Sequence, residues 1–385
     1  MPATILVTTR TTKVSNQNGH TTMTRLCVYS SFSDLMPSYG KLFQVCSQQS
    51  GFFLSLPWFQ NWSKTALDAQ RRLRIYGLES DDAHAPVLAV LPMCYTPPAL
   101  PAIQFNILHA AANYYSAQVG PVINIDETGS KENLALLIQG MIRESPRWDI
   151  MDFHPIEKGS ENYALLKETL SSAGMAVECY FCSGNWFLKV GGRTYQQYFA
   201  NLPSRLRNTL QRKSEQIKNA GQLRFDIISA PEQAADRMHD FLEVYANSWK
   251  KPEPFPEFMP GWIVESARQG WLRMGIASID NKPVAAQIWV VHQNKASIYK
   301  LAYDRQYAKY SIGSLLTAHL LQQVIDTDQV AEVDFLNGDE SYKQDWMSHR
   351  REYWGIVAYN RHTLKGQLSR VLQKLSRQVK RLPPH

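Results

Sequence analysis

The order in which strand-like and helix-like runs follow one another constrains this 385-residue chain more than any single motif does. A strand is expected at Thr24–Tyr29 and a helix between Ser31 and Cys46, where Pro37 forbids a start before Ser33. A second helix opens at Leu56–Trp62, with proline in its first turn. Three strands follow at Arg72–Leu78, Val87–Tyr95 and Ile103–Ala110, then a helix at about 131–143, a strand at Trp148–Phe153 and a helix at Asn162–Ser172. The second half repeats this order: strand Leu223–Ile228, helices Asp236–Trp249 and Gly261–Gln269, strands Leu272–Ile279, Ala285–His292 and Ser297–Tyr303, helix Ile312–Ile325, strand Glu332–Leu336. A repeat at about 190 residues is too long for a solenoid and predicts two domains, which the length also favours. The boundaries read from sequence are a flexible N-terminus over 1–20, a first domain over 21–182, a second over 183–360 and a helical tail over 361–385.

Within the second half, Pro283–His292 and Ala296–Tyr303 form two β-rich runs separated by Gln293, Asn294 and Lys295, which is hairpin punctuation. The polar cluster Asp304–Ser311 then gives way to an apolar helical pattern at Leu315, Leu316, Leu320, Leu321, Val324 and Ile325. Ser311 and Ser314 are placed to cap that helix, and Gly313 lets a ligand approach the backbone. A helix start of this kind is an anion site, because its first N–H groups are unpaired and the dipole is positive there. Physics alone therefore predicts a phosphate-bearing ligand at a strand-to-helix turn.

Five short motifs in order carry a resemblance: Pro283-Val-Ala-Ala286, Tyr303-Asp304, Tyr310-Ser-Ile-Gly313, Asp334-Phe-Leu-Asn-Gly338 and Tyr342-Lys-Gln-Asp-Trp346. Together they resemble the GNAT acyltransferases, over roughly 201–354, and most closely the branch related to Fem-type peptidyltransferases and to acetyltransferases of bacterial envelope-polysaccharide systems. The fold class this implies is α/β (α+β), two tandem GNAT-like domains, each a mixed, mostly antiparallel sheet flanked by helices. The first half fits as a degenerate copy. Where the second half has its Ser-Ile-Gly-Ser helix start, the first has Asn113–Val122, in which Pro121 follows Gly120. The first domain is therefore expected to have lost cofactor binding and to shape the acceptor site.

The resemblance also implies roles for residues. Tyr303, Lys309, Tyr310, Ser311, Ile312, Gly313, Ser314 and Leu315 would meet the pyrophosphate of acetyl-CoA or another acyl-CoA, whose pantetheine would lie between the strands ending at Tyr303 and Leu336. Tyr342 would act as general acid, with Asp304 or Asp334 taking the acceptor's proton. Lys343 and Trp346 would face the acceptor. The bland alternatives are a packing aromatic for Tyr342 and a turn cap for Asp304. Arg205 and Arg207 begin a basic stretch with Arg212, Lys213 and Lys218 against one acid, Glu215, which reads either as a site for an anionic acceptor or as a solvated face.

Composition narrows the class further. Five scattered cysteines favour a reducing compartment over a disulfide framework, and Cys179 and Cys182 lack the second pair that zinc would need, so no metal is expected. The first 20 residues lack a signal-peptide core and no run approaches a membrane span, so a cytoplasmic, soluble protein is expected. The net charge of +7 resides in the tail: Arg361, Lys365, Arg370, Lys374, Arg377, Lys380 and Arg381 occur there with no acid. Leu364, Leu368, Val371, Leu372, Leu375 and Val379 recur at helical spacing, so the tail is expected either to touch an anionic surface such as the inner membrane face, or an acidic partner, or to pack its stripe on the domain. No phosphate loop, zinc helix or serine elbow is present.

The leading expectation is an enzyme that moves an acyl group from acyl-CoA to an amine or hydroxyl of a small acceptor such as an envelope polysaccharide precursor. The alternatives are a Fem-like transferase drawing on aminoacyl-tRNA, and a non-catalytic adaptor of a polysaccharide assembly complex; a nucleic-acid partner is otherwise not expected.

Overall fold

The computed structural model describes residues 10–15, 21–80, 87–101, 103–219 and 221–379, with the backbone only over 10–15, 21–23 and from 374 onward. The chain divides into two compact units, one comprising 1–182 with 352–385 and the other 183–351.

The first unit follows the predicted order, with one addition. Residues Arg10–Ser15 (β1), within the stretch expected to be flexible, pair antiparallel with Thr21–Tyr29 (β2). The polar composition of this stretch is no obstacle, because strand pairing satisfies the backbone whatever the side chains are; residues 1–9 and 16–20 lie outside the described residues. After β2 come Pro37–Ser50 (α1), which begins at the proline, and Leu56–Thr65 (α2), capped by Ser55, whose hydroxyl accepts from the Trp58 N–H. Arg72–Ser80 (β3), Val87–Tyr95 (β4) and Ile107–Ala110 (β5) come next, then Ser130–Ile142 (α3), Ile150–Glu157 (β6) and Glu161–Ser172 (α4). The stretch 111–129 between β5 and α3 carries no helix.

Ala176–Lys189 (β7) leads into the second unit, which contains Tyr195–Ala200 (α5), Ser204–Lys218 (α6), Leu223–Ile228 (β8), Pro231–Ala246 (α7), Phe258–Arg268 (α8), Leu272–Ile279 (β9), Lys282–His292 (β10), Lys295–Tyr303 (β11), Ile312–Gln322 (α9), Glu332–Asn337 (β12) and Ser341–Trp346 (α10). His349–Tyr359 (β13) and Leu364–Val379 (α11) close the chain.

Strand order is β1-β2-β3-β4-β5-β6-β13 in the first unit and β7-β12-β11-β10-β9-β8 in the second. Neighbours pair antiparallel apart from β5 with β6 and β11 with β12, which are parallel. The strand closing each series comes from the other half of the chain. Tyr353–Tyr359 of β13 pairs with β6, while Asn185–Lys189 of β7 pairs with β12. Residues 352–360, assigned from sequence to the second domain, therefore belong to the first unit, because that is where their backbone hydrogen bonds go. Asn360 fixes the end of β13 there: it is fully buried, its amide donates to Trp148 O at 2.9 Å and its backbone N–H to Asp149 O at 2.9 Å.

Each unit has its own core. Leu91, Leu137, Ile138, Met151 and Ile356 are among the buried residues of the first, and Trp289, Ile298, Leu316, Leu320 and Val333 of the second. In the second, α9 lies close to β9 because Gly275 carries no side chain; a Cβ there would stand 2.7 Å from Leu320 Cδ1.

A chain ending at Arg351 removes β13 and bares the edge of β6, so it should aggregate, or be cleaved within 21–182, under limited proteolysis that spares a chain ending at Asn360. A monodisperse, protease-resistant 1–351 product would contradict the pairing.

Candidate functional site

The site is built where β11 and β12 part. Their parallel ladder has three rungs, Lys295 with Glu332, Ala296 with Val333 and Ser297 with Asp334. Beyond the third rung the two strands no longer pair with each other, and they run on to Tyr303 and Asn337 with a slot between their backbones.

Asp334 stands at that last rung and is completely buried. Lys295 Nζ and Arg351 Nη2 each lie 2.6 Å from its Oδ2, while Asn185 Nδ2 and the Leu336 N–H donate to Oδ1 at 2.5 and 2.7 Å. Burial alone would raise its pKa, but Lys295 and Arg351 hold the carboxyl well below the usual range. A carboxylate so fully paired is an anchor for the strand ends, so Asp334 is not available as the acceptor's base. Asp304 is likewise committed. It accepts from the Gln306 N–H at 2.9 Å, caps the short 3₁₀ helix Arg305–Tyr310 and lies 3.7 Å from Lys282 Nζ. Of the two readings offered by the sequence, the geometry supports the turn cap.

The start of α9 differs from the expected cap. Neither Ser311 nor Ser314 caps through its side chain; Ser311 takes a left-handed conformation, φ 52°, held by its N–H on Ala308 O and by the Ser314 and Leu315 N–H groups on its own carbonyl. Left-handed backbone is costly for a residue with a Cβ, so this bend is strain maintained by its surroundings. Those bonds leave the Ile312 and Gly313 N–H groups at the open helix end. Gly313 is half-buried, and Tyr303 packs beside it, 3.0 Å from where a Cβ would be. The side chains of Ile312 and Leu315 are buried in the core, so only their backbone can meet a ligand. Lys309 Nζ lies over the Tyr310 ring at 5.0 Å, and Lys213 Nζ donates to Lys309 O, which puts two cations at the same turn.

Lysines from β11, α10 and the loop after α7 form a cluster of which the sequence singled out Lys343 alone. Lys300 Nζ on β11 is 2.8 Å from Glu253 Oε1, and Lys343 Nζ on α10 is 2.9 Å from Glu340 Oε2 and 2.9 Å from Asn337 O. Both lysines are buried. Lys250, in the loop after α7, completes the group, with its ammonium 5.8 Å from the Trp249 ring. Burial pushes the Lys250 amine down to about 8; Lys300 and Lys343 add to this, and Glu253 and Glu340 oppose it. Tyr342 stands beside the cluster, its ring edge-on to Phe335 at 5.9 Å, and partial burial together with Glu340 pushes its hydroxyl up to about 12.

Other expected site residues fall elsewhere. Trp346 is 5% exposed and its carbonyl accepts from Tyr198 Oη at 2.9 Å, so it packs the core rather than facing an acceptor. Lys343 is present at the cluster but directs its ammonium to Asn337 and Glu340. Arg207 donates to Ala200 O at 2.5 Å, while Arg205 is exposed on α6. Cys179 and Cys182 are free thiols on β7. The signal for Lys250 lay in a loop without periodicity, where three lysines and two glutamates far apart in sequence converge only after folding.

Residues 204–344 match the acetyltransferase (GNAT) domain family. No curated protein sequence matches the chain. Among solved structures, the crystal structure of FemX superposes with a TM-score of 0.60 at 11% identity, covering 88% of this chain and 98% of that one. The structure of L-PGS from Bacillus licheniformis does so with 0.52 at 10% identity, covering 90% and 98%. The protein thus has a GNAT-like fold, with the family match confined to residues 204–344. Within the GNAT superfamily its fold is the Fem-like one.

Because buried Asp334 cannot turn to water for replacement partners, Arg351→Met should leave its charge under-compensated and cost about 3–5 kcal/mol in urea denaturation. A loss below about 1 kcal/mol would show that Lys295 and Asn185 suffice.

Proposed function

We propose that the protein is an acyltransferase that moves an acetyl or other acyl group from acyl-CoA to an amine or hydroxyl of a small acceptor, of the kind found in envelope polysaccharide or glycan precursors. The observation that carries this reading is Lys250, gathered with the buried Lys300 and Lys343 so that its amine is pushed down to about 8. Acyl-CoA would supply an activated thioester. The open end of α9 fits its pyrophosphate, since the Ile312 and Gly313 N–H groups stand there and Lys213 and Lys309 supply positive charge.

The chain's own residues then divide the proton work. Lys250 in its neutral form takes the proton from the acceptor as it attacks, and Lys300 and Lys343 disfavour the protonated state at rest. Tyr342, protonated throughout the neutral range, is the donor toward the leaving group. Asp334 ties β11 to β12 at the closed end of the slot and stays charged throughout.

A second reading has an aminoacyl group delivered by tRNA. It is favoured by the basic helix α6, with Arg205, Arg212 and Lys218 on it, and by the Fem-like fold. Calorimetry separates the two: acetyl-CoA should bind and lose measurable affinity in Gly313→Glu, whereas binding of aminoacyl-tRNA alone would establish the alternative.

If Lys250 is the base, kcat/KM should rise with pH through about 8, where the amine loses its proton, and Lys250→Met should remove that limb and lower the rate about 10²-fold. Tyr342→Phe should lower kcat by a similar factor with acyl-CoA affinity kept. An unaltered profile in Lys250→Met would assign the base elsewhere.

We further propose that α11 contacts an anionic membrane surface. No described helix is long and apolar enough to cross a membrane. On α11, Leu364, Leu368, Val371 and Leu372 are 85, 52, 53 and 50% exposed, so this part of the apolar stripe does not pack on the domain. Each basic residue near an anionic leaflet adds about 1 kcal/mol, enough in combination for reversible attachment. Leu368→Glu with Val371→Glu should abolish sedimentation with phosphatidylglycerol vesicles and leave acetyl-CoA binding intact. Equal sedimentation of the double variant would refute the contact.

A further inference from the structure

The first unit has its own splay point. Its parallel ladder also has three rungs, Ile107 with Ile150, Leu108 with Met151 and His109 with Asp152, so Asp152 occupies in β6 the place that Asp334 holds in β12. The two carboxylates are answered differently. Asp334 meets a lysine and an arginine in a closed environment. Asp152 meets two histidines: His154 Nδ1 at 3.2 Å and His109 Nδ1 at 3.7 Å, both toward Oδ2, while Tyr180 Oη donates to Oδ1 at 2.8 Å.

Both imidazoles reach solvent, with side chains 31% exposed for His109 and 48% for His154, and neither Nε2 has a partner among the described residues. Arg71 is a further cation whose charge acts on His154; it donates to Ala112 O at 3.3 Å and to Cys94 Sγ at 3.8 Å, and has no carboxylate partner among the described residues. His109 also lines a cavity of about 830 Å³ whose walls include Gln70, Phe105 and Ile107. No group of three or more metal-ligand side chains is arranged to hold a metal ion among the described residues.

The local charge balance decides what such a place attracts. Asp152 and Arg71 cancel, so each proton taken up by an imidazole adds a positive charge that no further acid of the cluster answers. Burial, with help from the Asp152 charge, keeps the Tyr180 hydroxyl and the Cys182 thiol protonated, the latter pushed up to about 11. Tyr359 acts on Tyr180 in the same direction. The hydrogen bond to Asp152 raises the His154 pKa from its ordinary value, although burial opposes this.

We propose that this splay point is an oxyanion site, in which the Nε2 groups of His109 and His154, with Arg71, take the carboxylate, sulfonate or phosphate of a small ligand whose apolar part fills the adjoining cavity. The site is formed by residues of the first unit and does not rest on the function proposed for the second. Tyr180 positions Asp152, and its ring lies against Gly355, where any Cβ would overlap it.

Calorimetry on the full chain tests this with hexanoate and hexanesulfonate, anions whose charge is constant across the range, and with hexanol as the uncharged control. Both anions should bind roughly tenfold more tightly at about pH 6 than at about pH 8, as expected when binding needs a proton on an imidazole, and hexanol should show no such dependence. His154→Gln, at a half-exposed position, should remove most of the pH dependence, and Phe105→Ala should weaken the six-carbon anions but not methanesulfonate. In the unmutated protein, hexanesulfonate should shift the His154 imidazole NMR titration to higher pH. Absence of binding, affinity flat with pH, or an unchanged profile in His154→Gln would overturn the proposal.

Discussion

Asp334 has no exposed surface, and the slot between β11 and β12 depends on its charge being answered. A carboxylate buried without partners would take up a proton, and the strand ends it ties together would be released. Lys295, Arg351 and Asn185 prevent this from three different elements, so β11, β13 and β7 are all registered to the point where β12 leaves its neighbour. Backbone left open beyond that point gives an extended ligand a place to lie, and the buried network offsets the pairing that is lost there.

Much of this was legible in sequence. Alternation and turn residues located β9, β10 and β11, and the apolar pattern from Leu315 located α9, because these elements are set by local periodicity. Five short motifs in order carried the superfamily resemblance without any one of them being specific. Asp304 was readable as a cap, since a short acid after a strand usually bonds the next turn. What escaped was non-local. Lys250 and Glu253 lie in an irregular stretch, and nothing in their neighbourhood says that Lys300 and Lys343 will lie beside them. The role given to Asp334 failed for the same reason: its partners are up to 149 residues away.

The internal repeat shows how far each copy has kept the common device. Both units retain a three-rung parallel ladder ending at an aspartate. Their chains diverge immediately beyond the ladder. In the second unit a strained serine bends the backbone into α9 soon after β11; in the first, the chain runs from 111 to 129 without a helix, so the open helix start has no counterpart beside β5. Counterions diverge too, from lysine and arginine to histidine, which changes the first copy from a fixed electrostatic anchor to one that responds to protons.

The exchange of β7 and β13 bears on how the protein is made. During synthesis β6 emerges about 200 residues before the strand that completes its sheet, so the first unit cannot close when its own repeat has left the ribosome. Until Tyr353–Tyr359 arrives, β6 presents an open edge for the whole time the second unit is being translated and folded. Such long-range pairing is slow because its loop-closure entropy must be met before any contact rewards it. The second unit, whose closing strand β7 precedes it in the chain, carries no such delay. The first unit therefore closes only after the second has been translated.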